Sequence, residues 1–324
     1  MVIVLGFDLA MAGTLARVLT VRLALACVLL SSLSGCSIRS MAINSLADSL
    51  AASGDVFASD EDPELVRDAT PFALKTIESL LAERPDHAQL LLAACSGFTQ
   101  YAYAFVQVEA EQLQEDDYEE SERQYDRALA LYLRGRDYCF RLLESSWPGV
   151  VGELSTTPES AVEAFDKRDV ELVFWTGASW GAAIAIGQDR PDLVADLPAV
   201  KALMNRALVL DETFDHGAIH GALISIYSLP EAMGGSPEKA RSLFERGVEL
   251  SSGASAGPYV SLAQGVVVVE QDWEEFQRLL ETAVEIDPES APSIRLVNAI
   301  EQERARWLLE RIDLYFVDYP GMGD

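Results

Sequence analysis

The amino-acid sequence predicts an all-α fold in which helical hairpins stack side by side. Apolar residues recur at helical spacing through most of the 324-residue chain, and no segment shows the convincing alternation of a half-buried strand. In the second half, a helical pattern repeats after 36 residues, which is typical of helix-hairpin solenoids. With 49% hydrophobic residues, the chain can bury a substantial core along such a stack.

Residues 1–35 are predicted to be a signal peptide. An apolar run from Leu23 to Leu33 follows two arginines, is too short to span a membrane and ends in small residues. Asp8 is unusual in the charged segment of such a peptide. Translation therefore starts at either Met1 or Met11, and the sequence leaves both open.

The end of this segment, Leu33-Ser34-Gly35-Cys36, resembles a bacterial lipobox. The resemblance implies that the Cys36 thiol is lipidated and that the chain is cleaved before it, and two or three acyl chains anchor a protein stably. An ordinary signal peptide followed by an incidental cysteine is the alternative. We expect a periplasmic, lipid-anchored protein, and Ser37 weakly favours the outer membrane under the rule known for enteric bacteria.

The charge of the chain disfavours several partners. The net charge is −28, and removal of Arg17, Arg22 and Asp8 with the signal peptide leaves 22 basic and 51 acidic side chains, a net charge of −29. Such a chain repels nucleic acid, so we expect no nucleic-acid partner. Only four of the basic residues are lysine, and no basic cluster for membrane binding occurs outside the N-terminus.

The mature chain divides into a tether and a repeat domain. Residues 36–62 are predicted to be a lipidated tether with a short amphipathic helix around Ile43, Leu46 and Leu50, and residues 63–324 to be the helical repeat domain.

Proline and capping residues predict the first helices of the repeat domain. Two helices are divided at residues 84–86, where Pro85 stops the first and Asp86 caps the second. A third long helix begins near residue 118 and ends before Pro148-Gly149. The next segment, "VVGELSTT", is predicted to be a loop that leads to a short helix at Pro158.

The repeat resembles a known helical repeat. Small and large residues occupy matching positions in three segments: Ala240, Phe244 and Gly247; Phe276, Leu280 and Ala283; and Met204 and Ala207. This pattern and the Asp-Pro that follows the second copy resemble the second helix of a tetratricopeptide repeat. The Trp-Leu-Gly-Tyr pattern of the first helix is missing, so the prediction is a TPR-like α-solenoid.

Two cysteines remain in the mature domain beyond the lipidation site. Cys95 and Cys139 each lie on an apolar helical stretch in a chain predicted to reach an oxidising compartment. A disulfide between these two cysteines is the alternative, but we expect two separate buried thiols.

A formal match to G-x-S-x-G raises the hypothesis of a serine hydrolase. Ser179 is its central residue, within "FWTGASWGAAIAI". A nucleophile elbow needs a strand, a sharp turn and a helix within an α/β sheet, and the chain supplies no companion strands. Asp196 and His220 are poor partners because they follow at short range. We therefore predict that Ser179 lies within a helix of tiny residues and tryptophans, and that the protein has no catalytic residues.

Neither metal nor cofactor sites are predicted. His216 and His220 have the i, i+4 spacing of two ligands on a helix, but no third ligand has convincing spacing. The acidic clusters at 60–62 and 115–120 are interpreted as solvated turns and helix starts, since EF-hand spacing is missing. No phosphate-binding glycine loop occurs.

Aromatic residues beside glycine and histidine are the best candidates for a binding pocket. Most aromatic side chains of a solenoid are core, so only a few are selected. The predicted ligand-binding residues are Phe174, Trp175, Trp180, His220 and Tyr227.

Several stretches together resemble the T component of TRAP-associated lipoproteins, the TatT family. They are the lipobox, "FWTGASWGAAIAI", "HGAIHGALISIYSLPEAMGGSPEKA" and "RLVNAIEQERARWLLERIDLYF". The resemblance covers nearly the whole mature chain. It implies a TPR-like homotrimer that partners the periplasmic solute receptor of a tripartite ATP-independent transporter. It also implies an internal, largely apolar pore for a hydrophobic or amphipathic organic ligand.

We therefore expect a non-enzymatic, lipid-anchored accessory protein that docks a periplasmic solute receptor and holds or passes a small organic ligand. The alternative is a scaffold that binds only protein and whose aromatic side chains are all core. A serine hydrolase is the third hypothesis.

Overall fold

The computed structural model describes Arg22, Ser45, residues 48–50 and residues 54–320. The predicted lipidation site Cys36 and nearly all of the signal peptide and tether lie outside these residues. The chain divides into two compact units, Met1–Ser49 and Leu50–Asp324, and the second is the one described below. Its regular elements between residues 54 and 320 are all helical, which confirms the all-α prediction.

The helices of this unit are numbered in chain order. They are α1 (Gly54–Ala58), α2 (Pro63–Glu83), α3 (Ala88–Ala102), α4 (Val108–Leu113), α5 (Tyr118–Ser146), α6 (Val150–Thr156), α7 (Pro158–Ala161), α8 (Val170–Ile186), α9 (Pro191–Val194), α10 (Leu197–Leu210), α11 (Ala218–Tyr227), α12 (Pro237–Leu250), α13 (Gly257–Leu262), α14 (Val268–Glu270), α15 (Trp273–Glu285), α16 (Arg295–Glu310) and α17 (Ile312–Tyr315).

Tighter and wider helical turns connect some of these helices. Two π-helical turns, Tyr103–Gln107 and Ala263–Val267, join α3 to α4 and α13 to α14. Short 3₁₀ helices occur at Val162–Ala164, Lys167–Asp169, Phe214–Gly217, Glu231–Met233, Pro288–Ser290 and Pro292–Ile294. The π-helical turns widen their helices locally, a feature that is often found at functional sites.

The predicted break between the first two long helices is confirmed, with one change in the cap. α2 ends at Glu83 and α3 begins at Ala88. The capping side chain is His87, whose ring accepts a hydrogen bond from the Leu90 amide at 3.4 Å, rather than the predicted Asp86. The cap satisfies one of the amide groups that a helix start leaves unpaired.

The predicted loop "VVGELSTT" is wrong, because residues 150–156 form the helix α6. Glu144, near the end of α5, accepts hydrogen bonds from the amides of Gly149 at 2.7 Å and Val151 at 2.9 Å. These bonds cap the start of α6 from the preceding helix, and the helix buries Leu154 against its neighbours. The local sequence has no capping residue of its own to signal this helix.

Successive helices pack as stacked hairpins. The packed pairs are α2 on α3, α3 and α4 on α5, α5 on α8, α8 on α10, α10 on α11, α11 on α12, α12 on α13, α13 on α15 and α15 on α16. Matching repeat residues are buried on equivalent helices, for example Gly247 on α12 and Ala283 on α15, whereas Phe244 of α12 is half-buried. This arrangement is compatible with a TPR-like solenoid.

Glycines let α8 lie close to α10. A Cβ added at Gly177 would lie 3.1 Å from the Met204 side chain, and one added at Gly181 would lie 3.1 Å from Val200 Cγ1. The tiny residues of "FWTGASWGAAIAI" therefore serve close helix packing.

The last long helix returns to the first helices of the stack. α16 packs against α1 and α2, and the Arg295 guanidinium donates to the Ser59 carbonyl at 3.0 Å. Tyr103, the first residue of the first π-helical turn, and Glu111 of α4 contact α16 as well. The stack of hairpins therefore closes on itself.

The expectation of two separate thiols is wrong, because Cys95 and Cys139 form a disulfide between α3 and α5. Their Cα atoms are 5.4 Å apart, and both side chains are fully buried. Gly135 allows this approach, since a Cβ there would lie 3.0 Å from the Cys95 carbonyl oxygen. Periodicity placed each cysteine in the core, but only the helix pairing brings them together.

We expect the double substitution Cys95→Ala and Cys139→Ala to lower the free energy of unfolding by about 3 to 4 kcal/mol. The bond closes a loop of sequence separation 44 and so restricts the unfolded chain. Urea unfolding with and without a reductant measures the effect. Reductant should shift the midpoint of the unmodified protein and leave the double variant unchanged, and equal midpoints for all four samples would contradict the prediction.

Candidate functional site

Three of the predicted binding residues lie on α8. Phe174 and Trp180 are buried, whereas Trp175 keeps part of its surface accessible. The ring of Phe174 lies 5.0 Å from that of Trp175, in an edge contact, and 5.2 Å from that of Phe214. Phe214 is in the turn before α11, so this aromatic group joins two neighbouring hairpins.

Acidic side chains lie near this aromatic group. Glu171 and Asp215 are exposed side chains, yet burial raises the pKa of both carboxyls, and Asp55 of α1 raises both further. Both carboxyls are therefore accessible although they are partly desolvated. Phe174 is one helical turn from Glu171.

The turn that carries Asp215 has an unusual backbone. Asp215 and His216 adopt positive φ angles of 43° and 54°, which side-chain-bearing residues rarely do. The His216 ring nitrogen Nε2 lies 2.8 Å from the Ser293 hydroxyl, so the turn also contacts the segment before α16. His216 precedes α11 and His220 lies within it, so the two do not share a face of one helix as their spacing predicted.

Trp180 packs in a second place, between α8 and α5. Its ring makes an edge contact with Phe140 at 4.9 Å, and the Arg136 guanidinium lies 5.9 Å from its centre. The buried indole N–H makes no hydrogen bond of standard geometry. It lies close enough to Asp196 to lower the pKa of that carboxyl, but burial dominates and the pKa of Asp196 is raised.

His220 is buried between α11 and α12. A Cβ added at Gly247 would lie 3.1 Å from the His220 Cβ, so the glycine makes room for it. Its Nδ1 has no hydrogen-bond partner. Burial lowers the pKa of His220, and the opposing effect of Glu212 does not overcome it. The ring is therefore held neutral at physiological pH.

Tyr227, at the end of α11, meets two lysines and an asparagine. Its hydroxyl accepts hydrogen bonds from Lys239 Nζ at 2.5 Å and from Asn205 Nδ2 at 3.2 Å. The ammonium groups of Lys239 and Lys201 lie 3.9 Å and 5.7 Å from the ring centre. Burial raises the pKa of Tyr227, but the hydrogen bonds from Lys239 and Asn205 outweigh it and hold the pKa below its usual value.

The predicted binding residues thus fall into separate groups rather than one site. Phe174 and Trp175 pack on each other near Phe214, Trp180 packs on α5, His220 lies between α11 and α12, and Tyr227 lies beside Lys239. A role in ligand binding stays a prediction for each of them.

Sequence reasoning missed a buried polar network at the closure of the stack, centred on Arg304 of α16. The Arg304 guanidinium donates to both carboxylate oxygens of Glu111, at 2.8 Å and 3.2 Å, and to the Tyr103 hydroxyl at 2.9 Å. Tyr103 in turn donates to Glu301 at 2.5 Å. Gln264 donates to Glu111 at 2.8 Å. Both π-helical turns therefore contribute a side chain, Tyr103 from the first and Gln264 from the second.

This closure network lies deep in the molecule but is not sealed from solvent. Burial raises the pKa of the Tyr103 hydroxyl well above its usual value, yet Tyr103 and Glu111 keep accessible surface. Two more hydroxyls border it, since burial raises the pKa of Tyr125 and of Tyr315 to about 12, with a further contribution from Glu111. The polar groups of the network are therefore desolvated yet partly accessible.

The sequence holds one signal for the network. Asn298, Glu301, Ala305 and Leu308 recur at helical spacing and are all buried on α16. A glutamate on a face otherwise spaced for the core indicates a buried partner, although it does not say which.

Ser179 lies in the middle of α8, fully buried, and its hydroxyl donates to the Thr176 carbonyl at 3.1 Å. This confirms the helical interpretation of the G-x-S-x-G match. The strand and sharp turn of a nucleophile elbow are not present around it.

The described residues contain no group of three or more histidine, cysteine or acidic side chains arranged to hold a metal ion. Within the same part of the chain, every helix is too short or too polar to cross a membrane. A separate apolar cleft of about 220 Å³ lies between α1 and the start of α2 and includes none of the predicted binding residues.

Glu301 gives the closure network a predicted pH dependence. Burial raises its pKa above the usual 4.5, against the lowering effects of Arg304 and Tyr103, so the folded protein binds this proton more tightly than the unfolded chain does. Its contribution to stability is then complete below the usual pKa and is lost as pH rises through the raised value.

We expect Glu301→Gln, which cannot ionise, to become more stable relative to the unmodified protein between about pH 5 and about pH 8, by about 1.4 kcal/mol per unit of pKa shift. Urea unfolding at both pH values measures the difference. Glu310→Gln, at a position on α16 with a 74% exposed side chain, is the control and should give the same difference at both. A pH-independent difference for Glu301→Gln would disprove the assignment.

Comparison with known proteins identifies the family. The profile of the TRAP transporter T-component family matches residues 59–316. An uncharacterized protein of Treponema pallidum (strain Nichols) is 32% identical over 306 residues, which cover 88% of this chain and 94% of that protein. The matched region contains the helices from α2 to α17 and the closure network, and the chain belongs to the TRAP transporter T-component family.

Proposed function

We propose that this protein is an exported, lipid-anchored accessory component of a TRAP-type transport system. In this proposal it binds a periplasmic solute receptor and holds a hydrophobic or amphipathic organic ligand inside the closed stack. Cys36 carries the lipid, and the protein assembles as a homotrimer in the periplasm. The membership of the TRAP transporter T-component family supports the association with such a system.

The closure of the stack is the observation that carries the ligand part of the proposal. α16 returns to α1, α2 and the helices around the first π-helical turn, and in this proposal the hairpins enclose the ligand between them. Tyr103 and Glu111 keep accessible surface at this closure, and Phe174 and Trp175 lie near the exposed carboxyl groups of Glu171 and Asp215. An enclosed space with aromatic walls and a few polar groups is the usual form of a site for a small organic ligand.

The disulfide supports export. Cys95 and Cys139 are bonded, and disulfides persist in oxidising compartments such as the periplasm. The strongly acidic surface agrees with a protein partner rather than with nucleic acid.

A scaffold that binds only protein is the second candidate. Trp180 and His220 favour it, since both pack tightly between helices as core residues do. In that case the space inside the stack holds only water.

Receptor binding is tested by co-expression of the full-length lipoprotein with the solute receptor of a TRAP system from the same organism, followed by affinity capture in mild detergent. We expect the receptor to be retained, and a solute receptor of an unrelated transporter class, expressed in the same way, to be lost. Loss of both would contradict the proposed partner. The mass of the captured complex in native mass spectrometry also reports whether three copies assemble.

Ligand binding is tested with the neutral fluorescent probe N-phenyl-1-naphthylamine. We expect the purified protein to bind it and Trp175→Ala to weaken the binding about fivefold, because the substitution removes a partly accessible aromatic ring. Trp273→Ala removes an indole that packs on Tyr319 and serves as the matched control with unchanged affinity. No binding by the unmodified protein would favour the scaffold.

A further inference from the structure

The lysines of this protein are few, and they divide into two kinds. The chain has four lysines, at 75, 167, 201 and 239, among 52 acidic side chains. Lys75 pairs with Glu78 at 2.6 Å, and Lys167 pairs with Asp211 at 3.0 Å. On so acidic a surface, lysines are expected to have carboxylate partners.

The other two lysines have no such partner. Across residues 54–320, no carboxylate forms an ion pair with Lys201 or Lys239. Both instead lie over one phenol ring, that of Tyr227. Two like charges held beside each other without a counter-ion leave the group with an unbalanced positive charge.

Neutral groups of three helices and one loop hold this arrangement in place. Lys201 of α10 donates to the carbonyls of Met233 at 2.7 Å and Gly234 at 2.8 Å, in the loop that follows α11. Lys239 of α12 donates to the Tyr227 hydroxyl, and Asn205 of α10 reaches the same oxygen. Burial lowers the pKa of Lys201, Tyr227 raises it and the charge of Lys239 lowers it, and the net effect is a lowered pKa.

The donors of this group fit an anion with two oxygens. Lys239 already donates to the Tyr227 oxygen, so the phenol proton remains free for a further acceptor, and its nearest acceptor is Asn205 Oδ1 at a long 3.3 Å. Each ammonium group has three donors and uses fewer than three on the protein. Both ammonium groups and the phenol therefore keep hydrogen-bond donor capacity beside one ring.

We propose that Lys201, Lys239 and Tyr227 form a subsite for the carboxylate of an amphipathic organic acid. This inference rests on the proposed function, and it narrows the ligand from any hydrophobic or amphipathic compound to an anionic one. An arriving carboxylate neutralises the repulsion between the two lysines and accepts the phenol proton in a hydrogen bond. The acidic remainder of the protein repels the same ligand, so binding is specific to this place.

The test compares decanoate with decanol as competitors of N-phenyl-1-naphthylamine in the full-length protein. The two competitors share their chain and differ in charge. We expect decanoate to displace the probe at about a tenfold lower concentration than decanol, because only the carboxylate gains charge-assisted bonds. The advantage should shrink at high salt, which screens the attraction.

Lys239→Gln is the main variant, because Lys239 is exposed and its side chain touches only Tyr227 among its hydrogen-bond partners. We expect this variant to weaken the binding of decanoate about tenfold and to leave the binding of decanol unchanged. Lys239→Arg should restore most of the lost affinity for decanoate. Tyr227→Phe keeps the ring but removes the hydroxyl, and it should weaken the binding of decanoate severalfold. Lys75→Gln and Lys167→Gln remove the same charge from lysines that have carboxylate partners. They should leave the affinities for decanoate and decanol unchanged.

The outcomes separate this inference from the proposed function. Equal displacement by decanoate and decanol, or a decanoate advantage that survives both Lys239→Gln and Lys201→Gln, would overturn the subsite and leave an internal ligand standing. Failure of the probe itself to bind would overturn the internal ligand, and the subsite would fall with it. Loss of binding by Lys239→Gln for both competitors, together with a lowered melting temperature, would show a structural role and also overturn the subsite.

Discussion

The hydrogen bonds of Arg304 with Glu111 and Tyr103 are the constraint on which the rest of the structure depends. They join the last long helix to the first hairpins and turn a row of helix pairs into a closed stack. Every member of the network is paired, which a buried charge requires if it is not to destabilise the fold. These contacts therefore hold the first and the last hairpins of the stack together.

Local signals in the sequence predicted the hairpins but not the contacts between distant ones. Proline and capping residues set the break before α3, and the repeat predicted buried positions on α12 and α15. α6 was missed because its cap is Glu144 of the preceding helix. The closure network was missed because its partners are 193 and 198 positions apart, and no periodicity reports such a pairing.

The candidate site shows a similar division. Residue type and helical spacing selected Phe174, Trp175 and Tyr227, but whether a selected ring faces a recess or a neighbouring helix depends on tertiary packing. Trp180 and His220 have the same local features and lie in the core. The two unpaired lysines beside Tyr227 come from helices on either side of it, and their significance depends on which acids lie near them. That information is absent from a linear sequence.

The disulfide between α3 and α5 has a consequence for how opening of the fold can be observed. Both sulfur atoms are shielded from solvent, so a reducing agent reaches them only in molecules whose first hairpins have separated. Thiols released in this way can be trapped with an alkylating reagent, and their rate of appearance reports how often that part of the stack comes apart. The rate at which the bond is reduced therefore reports how often the part of the molecule that carries Tyr103 and Glu111 opens locally.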